Sequence, residues 1–301
     1  MNDLQIRLQA FDWLKKQLEI FGDFLPRVTL LSGFIVENSR IGLVGPRGIW
    51  KPRSMELPIS VTSILNGPYP DTYDAKSGII DYKYFGTNPK HPDNFGLRRM
   101  MEEQIPLVYL YNIAKNKYLP IFPAYIVEDN PSNLSFSIMA DSLVNVHNST
   151  QNDLVDDPKI EYARRAYITV TSLQRVHQKD FRYKVLTAYR NQCSLCRLRH
   201  VELLDAAHII GDLEEHGDPI VQNGLSLCKI HHAAFDHNII GINPDFEVLV
   251  RQDVLEEIDG PMLKYGLQSI NKNKLILPSH RRDWPDRERL EKRFASFIKA
   301  E

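Results

Sequence analysis

Apolar residues recur every three or four positions near the start of the chain. The series is Leu4, Leu8, Phe11, Leu14, Leu18 and Phe21, and Gly22 interrupts it. This spacing predicts an amphipathic helix that ends at Gly22.

The pattern then changes to short apolar runs separated by Gly, Pro, Asn and Asp, from Arg27 to about Leu143. The runs are VTLLSGFIV, IGLVG, LPISV, IPLVYLYNI, YLPIFPAYIV and LSFSIMA. Short runs of this kind, several with Pro at their edges, predict strands of a small barrel or sandwich. One helical patch, Asn94–Glu103, interrupts them.

A polar segment at residues 144–160 follows and has the composition of a linker. We therefore predict two domains, 1–150 and 151–301. Early in the second domain, Phe181, Val185, Leu186 and Tyr189 share one side of a predicted helix. Downstream, the run LLDAAHII predicts a strand with His208 near its end.

Length and composition fit this division. A chain of 301 residues is long enough for two domains, each with its own core. No apolar run approaches the roughly 18 residues that a membrane helix needs, and the charged N-terminus is not a signal peptide. We therefore expect a cytoplasmic protein with no membrane partner.

The net charge of −1 hides a basic stretch. Between Lys159 and His200 the chain has ten Lys or Arg residues and two acidic residues. A local basic stripe matters more for phosphate binding than the average charge, although it is equally typical of a solvated helix face. The candidate DNA-binding residues in this stretch are Arg182, Lys184, Arg190, Arg197 and Arg199.

All three cysteines lie close together, as Cys193, Cys196 and Cys228. Cys193-x-x-Cys196 and Cys228-x-x-His231 supply four ligands in two pairs, which is the pattern of a closed tetrahedral zinc site. The alternative is a set of buried free thiols beside a surface histidine. The pattern favours a structural Zn²⁺.

A second group of side chains is adjacent to the first. On a helix, His232 points about 100° away from His231, and Asp236 returns to the face of His232. One helix therefore serves the zinc site with His231 and a second site with His232 and Asp236. A strand histidine such as His208, opposite a metal bound from the helix, suits phosphodiester hydrolysis.

The series AAHI, NGL and HHxxFD, framed by CxxC and CxxH, resembles the HNH endonucleases, the zinc-stapled branch of the ββα-metal nucleases. The resemblance covers about residues 177–245. It implies that His208 is the general base, that Asn223 ties down the loop and orients the strand, and that His232 and Asp236 ligate a catalytic Mg²⁺ or Mn²⁺.

The motif departs from the family pattern at one position. Many relatives have a metal-binding Asp just before the base, where this chain has Ala207. Asp205, two residues earlier, is a second candidate ligand, although an Asp that begins the strand or caps a turn explains it as well. His200, His216 and His237 have no paired partner and are expected at the surface.

The N-terminal domain is faintly similar to SRA/PUA-like readers of modified bases. The likeness lies in Tyr82-x-Tyr84-x-Gly86, an Asn followed by a Leu-Arg helix, and a strand pair that ends in Val-Glu-Asp. It implies a reader that holds a flipped nucleotide against aromatic rings. Aromatic residues near Arg47, Lys51 and Arg53 are the candidate contacts, although such residues usually form the core: Trp50, Tyr69, Tyr73, Tyr82, Tyr84 and Phe85. A reader of a sulfur-substituted phosphate, which would use apolar and basic groups, is the alternative.

We therefore expect an α+β protein with a strand-rich, barrel-like domain and a ββα-metal HNH domain with a structural zinc. The expected function is a DNA endonuclease that acts on modified foreign double-stranded DNA, as a possible homodimer. The alternatives are an HNH nickase, a ligand-gated effector nuclease and a non-catalytic zinc-containing DNA-binding protein.

Overall fold

The computed structural model describes residues 2–63, 72–74, 79–141, 158–212, 214–258 and 260–300. The chain divides into two compact units, Met1–Val176 and His177–Glu301. The predicted boundary near residue 150 lies outside the described residues. None of the described helices combines the length and the apolar composition needed to cross a membrane.

The first unit begins with a helix and continues into strands, as the apolar pattern predicts. Its described elements are α1 (Asp3–Phe21), β1 (Leu25–Pro26), α2 (Arg27–Ser32), β2 (Phe34–Val36), β3 (Ser39–Ile41), β4 (Ile49–Trp50), β5 (Ser60–Thr62), β6 (Thr72–Asp74), β7 (Ile79–Lys83), α3 (Pro92–Glu102), β8 (Leu107–Ala114), β9 (Lys117–Asn130) and β10 (Ser135–Ala140). A long helix, α4 (Pro158–Ala188), follows.

The end of α1 agrees with the prediction. The helix stops at Gly22, whose N–H donates to the carbonyl of Leu18 at 3.0 Å, and the side chain of Asn2 caps its start. Arg7 is fully buried and donates to the carbonyls of Leu57 and Pro58. These bonds fasten α1 to the body of the unit.

Most of the described strands of this unit form one sheet in the order β4-β5-β8-β9-β10-β7-β6, with β1 paired to β9. The pair β5–β8 is parallel and the other pairs are antiparallel. The predicted barrel-like domain is therefore observed as a single curled, half-barrel sheet.

One predicted strand is wrong. The run VTLLS folds as α2, because Gly33, at a φ of 55°, ends a single helical segment before β2 begins. Only Leu30 of α2 is buried, so the segment lacks the alternation of buried and exposed side chains that a strand would have.

The second unit is built around a β-hairpin and a helix. Its described elements after α4 are β11 (Leu204–His208), β12 (Gly224–Cys228), α5 (Lys229–Asp236), β13 (Ile240–Ile242), β14 (Val248–Val250), α6 (Gln252–Glu256) and α7 (Arg287–Ala300), with a π-helical turn at Met262–Leu267. The predicted face of α4 is confirmed, because Phe181, Val185, Leu186 and Tyr189 are all buried in the core of this unit.

Candidate active site

A ββα arrangement places the candidate chemistry. β11 and β12 are antiparallel, with Leu204 opposite Cys228 and His208 opposite Gly224. α5 begins at Lys229, directly after β12. Cys228 therefore lies at the N-cap of the helix rather than inside it, while His231 and His232 lie in its first turn. Cys228 marks one end of this hairpin and His208 marks the other, and strand and helix residues meet at both ends.

Four predicted metal ligands come together near the end of the hairpin that contains Cys228. The ligand atoms of Cys193, Cys196, Cys228 and His231 all lie within 4.8 Å of one another. Cys193 Sγ and Cys228 Sγ are 3.4 Å and 3.3 Å from His231 Nδ1, and Cys196 Sγ is 4.0 Å from Cys228 Sγ. Tetrahedral zinc with sulfur at about 2.3 Å and nitrogen at about 2.0 Å needs similar separations, so the donor set fits zinc.

Neighbouring backbone groups hold these ligands in place. The ring of His231 is oriented by a 2.7 Å contact between its Nε2 and the carbonyl of Gly266. An Nε2–H that donates to this carbonyl leaves the lone pair of Nδ1 for a metal. The turn at Cys193 closes with Arg197 in the left-handed region, at a φ of 64°, and its N–H donates to the carbonyl of Cys193.

His208, the predicted general base, lies at the end of β11 against an aromatic ring. Phe181 of α4 stacks on the imidazole with 4.0 Å between ring centroids. Burial lowers the pKa of His208 below its ordinary value of 6.5, and nearby Asp212 opposes that effect. Its Nε2 is buried without a hydrogen-bond partner among the described residues. A neutral imidazole at neutral pH is what a general base requires.

His232 is placed between two carboxylates. Asp205 Oδ2 is 3.4 Å from Nδ1 of His232, and Asp236 Oδ2 is 3.3 Å from Nε2. Lys229 holds the carboxylate of Asp205, with Nζ 3.2 Å from Oδ1. Ala207, in contrast, is fully buried in the core. The structure therefore brings Asp205 to the imidazole of His232, on the side opposite Asp236.

The separation of Nε2 and Oδ2 is compatible with a divalent cation. An octahedral ion with ligands at 2.0–2.1 Å places neighbouring ligand atoms about 3 Å apart. His232 Nε2 and Asp236 Oδ2 meet that condition without a large movement. This donor set, one imidazole and one carboxylate, suits Mg²⁺ or Mn²⁺ with further sites left for water and phosphate.

Asn223 is fully buried and makes three hydrogen bonds to the loop after β11. Its Oδ1 accepts from the N–H of Ile210 at 2.9 Å, and its Nδ2 donates to the carbonyls of Ile210 at 3.0 Å and Asp218 at 3.1 Å. One side chain thus holds both backbone groups of Ile210, two residues beyond His208. These contacts match a residue that ties down the loop.

The predicted general base and the predicted metal ligands of α5 line one cleft of about 410 Å³. His208, His232 and Asp236 line it together with Asp212, Glu214 and two basic residues of α7, Lys292 and Arg293. Arg293 donates to the carbonyl of Phe235 and to Oδ1 of Asn238, so it fixes the C-terminal end of α5. Asn223 does not line this cleft, because its side chain binds the backbone of the loop after β11.

Sequence reasoning missed Phe181 and the residues of α7 as parts of the site. For α7 a signal was available, since Leu290, Phe294 and Phe297 have helical spacing and predict a packed helix. The sequence does not indicate that α4 and α7 lie beside His208, because their positions depend on tertiary packing. Phe181 was expected as a core residue, and its contact with His208 follows only from the fold.

The predicted DNA-binding residues of the basic stretch fall into two groups. Arg182 donates to the carbonyls of Val201 and Leu204, and Lys184 pairs with Asp180. The other three, Arg190, Arg197 and Arg199, are exposed, and none has a side-chain partner among the described residues. Contact with DNA by any of the five stays a prediction.

The aromatic candidates of the first unit lie mostly inside it. Tyr84 is 6% exposed and its hydroxyl donates to Asp129, while Trp50 is partly buried and its indole N–H donates to the carbonyl of Gly42. Phe85 is different, because 37% of it is exposed and its ring lies beside His91 and Arg47. Tyr84 and Trp50 offer a flipped base little surface in this conformation.

Comparison with known proteins gives two findings. Residues 193–243 match the HNH endonuclease family model. The chain is also similar to a solved structure described as a modification dependent TagI restriction endonuclease, at 16% identity over 83% of this chain and 85% of that chain, with a TM-score of 0.29. That score is too low to establish a common fold. A search of curated proteins gave no significant match.

The matched segment contains the four zinc-site residues, His208, Asn223, His232 and Asp236. These are the same side chains that the hairpin and α5 bring together at two adjacent sites. The family match and the geometry therefore agree on the second unit. Residues 193–243 of this chain form an HNH endonuclease domain.

Proposed function

We propose that the chain is a metal-dependent endonuclease that hydrolyses phosphodiester bonds in DNA. The observation that carries this proposal is the single cleft shared by His208, His232 and Asp236. A general base and a pair of metal ligands in one cleft are the groups that attack of water on a phosphodiester requires. A purely structural zinc motif needs none of these three side chains.

His208 is assigned as the general base. The stacked ring of Phe181 fixes the plane of its imidazole, and the lowered pKa, caused by burial, keeps it neutral near pH 7. In this role His208 takes a proton from the attacking water as the water oxygen bonds to phosphorus and the bond to the leaving oxygen breaks. Asn223 keeps the adjoining loop, and with it Ile210, in place.

His232 and Asp236 are assigned as ligands of a divalent ion, Mg²⁺ or Mn²⁺. Such an ion supplies positive charge that polarises the scissile phosphate. The cleft otherwise has three carboxylates, those of Asp212, Glu214 and Asp236, against two cationic side chains, and so repels DNA. We place Asp205 behind His232, where it accepts from Nδ1–H and leaves Nε2 for the ion.

Cys193, Cys196, Cys228 and His231 are assigned to a structural Zn²⁺. All four ligand positions of the tetrahedron are filled by protein atoms, so this metal has no open position for substrate. Its role is to hold the turn at Cys193 and Cys196 against the junction of β12 and α5. Zinc binding energy then contributes directly to the folding of the second unit.

Nicking of supercoiled plasmid DNA by the purified, zinc-loaded chain tests the proposal. We expect cleavage when Mg²⁺ or Mn²⁺ is added and none when both ions are left out and the zinc site stays loaded. His208→Ala and Asp236→Asn should each lower the rate at least about 100-fold, in line with loss of general-base or metal catalysis. His237→Ala, an exposed histidine next to the same helix, is the matched control and should cut normally.

If the protein binds plasmid DNA but does not cut it with either Mg²⁺ or Mn²⁺, the result would instead support a non-catalytic zinc-containing DNA-binding protein. Cleavage that stops at the nicked form would favour the nickase. Full linearisation with a rate that rises as the square of protein concentration would support the homodimer, because two HNH centres then act on one duplex.

We further propose that the first unit selects modified double-stranded DNA. The feature that favours this is the partly exposed ring of Phe85, with the guanidinium of Arg47, which also pairs with Asp93, 5.4 Å from its centroid. A ring beside a cation can hold a base by stacking and the adjoining phosphate by charge. Such a unit would direct the nuclease to foreign DNA as a restriction enzyme.

A panel of DNA substrates tests this selection. It contains unmodified DNA and DNA with 5-methylcytosine, hydroxymethylcytosine, N6-methyladenine or phosphorothioate groups. Cutting confined to one modified substrate, and lost in Phe85→Ala but kept in Phe95→Ala, would support the reader. Equal cutting of every substrate would refute it and leave the nuclease intact. Phe95 is the control because it is also exposed and lies in the neighbouring α3.

A further inference from the structure

A groove leads away from the catalytic cleft along α7, outside the segment that matches the HNH family. The cleft shares Ile210 and Lys292 with a middle cavity of about 270 Å³. The middle cavity shares Asp286 and Glu288 with an outer cavity of about 690 Å³. The three cavities are therefore neighbours along α7, and we treat them together as one groove of the second unit.

The outer end of this groove is lined by cations set against aromatic rings. The guanidinium of Arg281 is 5.8 Å from the ring of Trp284, and that of Arg287 is 5.2 Å from the ring of Phe246. The side chain of Arg282 is 83% exposed and has only a loose pairing with Asp283, at 3.7 Å. Arg287 is paired with Asp245 at 3.4 Å, so Arg281 and Arg282 are the guanidinium groups of this end that are most available to a ligand.

One carboxylate of the groove is already engaged by the backbone of α7. Asp286 accepts from the backbone N–H of Arg289 at 3.0 Å, as a residue that caps the start of α7. Arg289 itself is bound to Asp218 and to the carbonyl of His216. Lys292 contacts only the carbonyl of Glu215, at 3.5 Å, and so keeps most of its charge for a ligand in the groove.

The outer end is also fixed relative to the catalytic centre. Gln222, the residue before Asn223, donates to the carbonyl of Arg282 at 2.7 Å, and its own carbonyl accepts from the N–H of Asp286 at 3.0 Å. The groove is thus a preformed surface, and a ligand in it is positioned with respect to His208.

We propose that this groove is the path of the cleaved DNA strand on one side of the scissile phosphate, with Arg282 as a phosphate contact. This inference rests on the proposed nuclease function and adds the route of its substrate. From Ser296, which lines the cleft, to Arg287 the helix rises about 14 Å at 1.5 Å per residue. At about 3.4 Å per nucleotide, the outer cavity, which Arg282 and Arg287 both line, begins about four nucleotides from the cut.

Salt-dependent binding is the first test. Affinity for a fluorescein-labelled duplex of about 30 base pairs is measured by anisotropy between 50 and 200 mM NaCl, with the zinc site loaded and no Mg²⁺ or Mn²⁺ added, so that the DNA is not cleaved. Arg282→Ala should weaken binding about three- to tenfold and lower the slope of log Kd against log salt by about 0.9, the value for one lost phosphate contact. Lys299→Ala removes one exposed charge from α7 outside the groove and should change neither quantity.

Interference mapping locates the contact. Single methylphosphonates, which lack the phosphate charge, are placed at successive positions on both sides of the mapped cut. In the wild type a neutral linkage about four nucleotides from the cut, on one side only, should slow nicking about three- to tenfold. Arg282→Ala should be insensitive to that same substitution.

Two results separate this inference from the proposed function. A wild type that nicks DNA, with an Arg282→Ala variant that keeps its salt slope and its interference pattern, would overturn the groove and leave the nuclease. A wild type that nicks nothing but loses one phosphate contact in Arg282→Ala would refute the nuclease and keep the groove as a DNA-binding surface.

Discussion

Asn223→Ala tests the idea that one buried amide holds the catalytic loop. The substitution removes three hydrogen bonds and leaves the N–H and carbonyl of Ile210 without their partners. A typical hydrogen bond contributes about 1 kcal/mol net, and an unsatisfied buried group costs about 1–3 kcal/mol. We therefore expect the free energy of unfolding to fall by about 3 kcal/mol, with a drop in nicking rate of at least about tenfold.

The measurement is urea unfolding of the zinc-loaded chain with Trp13 and Trp50 replaced by Phe, so that Trp284 reports the second unit alone. Gln222→Ala is the control, because its hydrogen bond to Arg282 is exposed and its loss should cost less than about 1 kcal/mol. A loss below about 1 kcal/mol in Asn223→Ala, together with unchanged nicking, would refute the reasoning.

Three further expectations concern the zinc, the base and the packing of α4. Cys193→Ser, or a strong chelator, should unfold the second unit and leave the helix signal of α1–α3; zinc content and circular dichroism check this. Because burial holds the pKa of His208 below 6.5, kcat/KM should rise from acid pH with an apparent pKa below 6.5. Stability should fall as the pH drops from about 6.5 toward that pKa, because the unfolded chain binds the proton first; a flat rate profile would argue against this base. Gly224→Ala places a Cβ 2.4 Å from Val185 and 2.9 Å from Phe181, so we expect the free energy of unfolding to fall by about 1–3 kcal/mol and nicking to slow. An unchanged melting temperature would show that α4 shifts to accommodate the methyl group.

Local features of the chain could be predicted from the sequence. The end of α1 at Gly22, the helix α3 and the buried face of α4 follow from residue spacing and from glycine and proline chemistry. The cluster of Cys193, Cys196, Cys228 and His231 follows in the same way, because metal-binding Cys and His residues have strict spacing.

Features that depend on packing could not be predicted. The run VTLLS has the composition of a strand and folds as α2, since tertiary context outweighs its β propensity. The side of His232 on which Asp205 lies depends on the pairing of β11 with β12 and on the rotamers of both side chains. Phe181 and α7 reach the cleft across long sequence separations, which no local pattern encodes.

The eight residues of α5 impose a constraint on how this domain can vary between relatives. Insertion of one residue between His231 and His232 would rotate everything after it by about 100°, and Asp236 would leave the cleft while His231 kept its zinc. The loop from Ile209 to Gln222 has no such periodicity and is tied chiefly through Asn223. We therefore expect homologous domains to differ freely in the length of that loop and to keep the length of α5 fixed, even where its surface residues change.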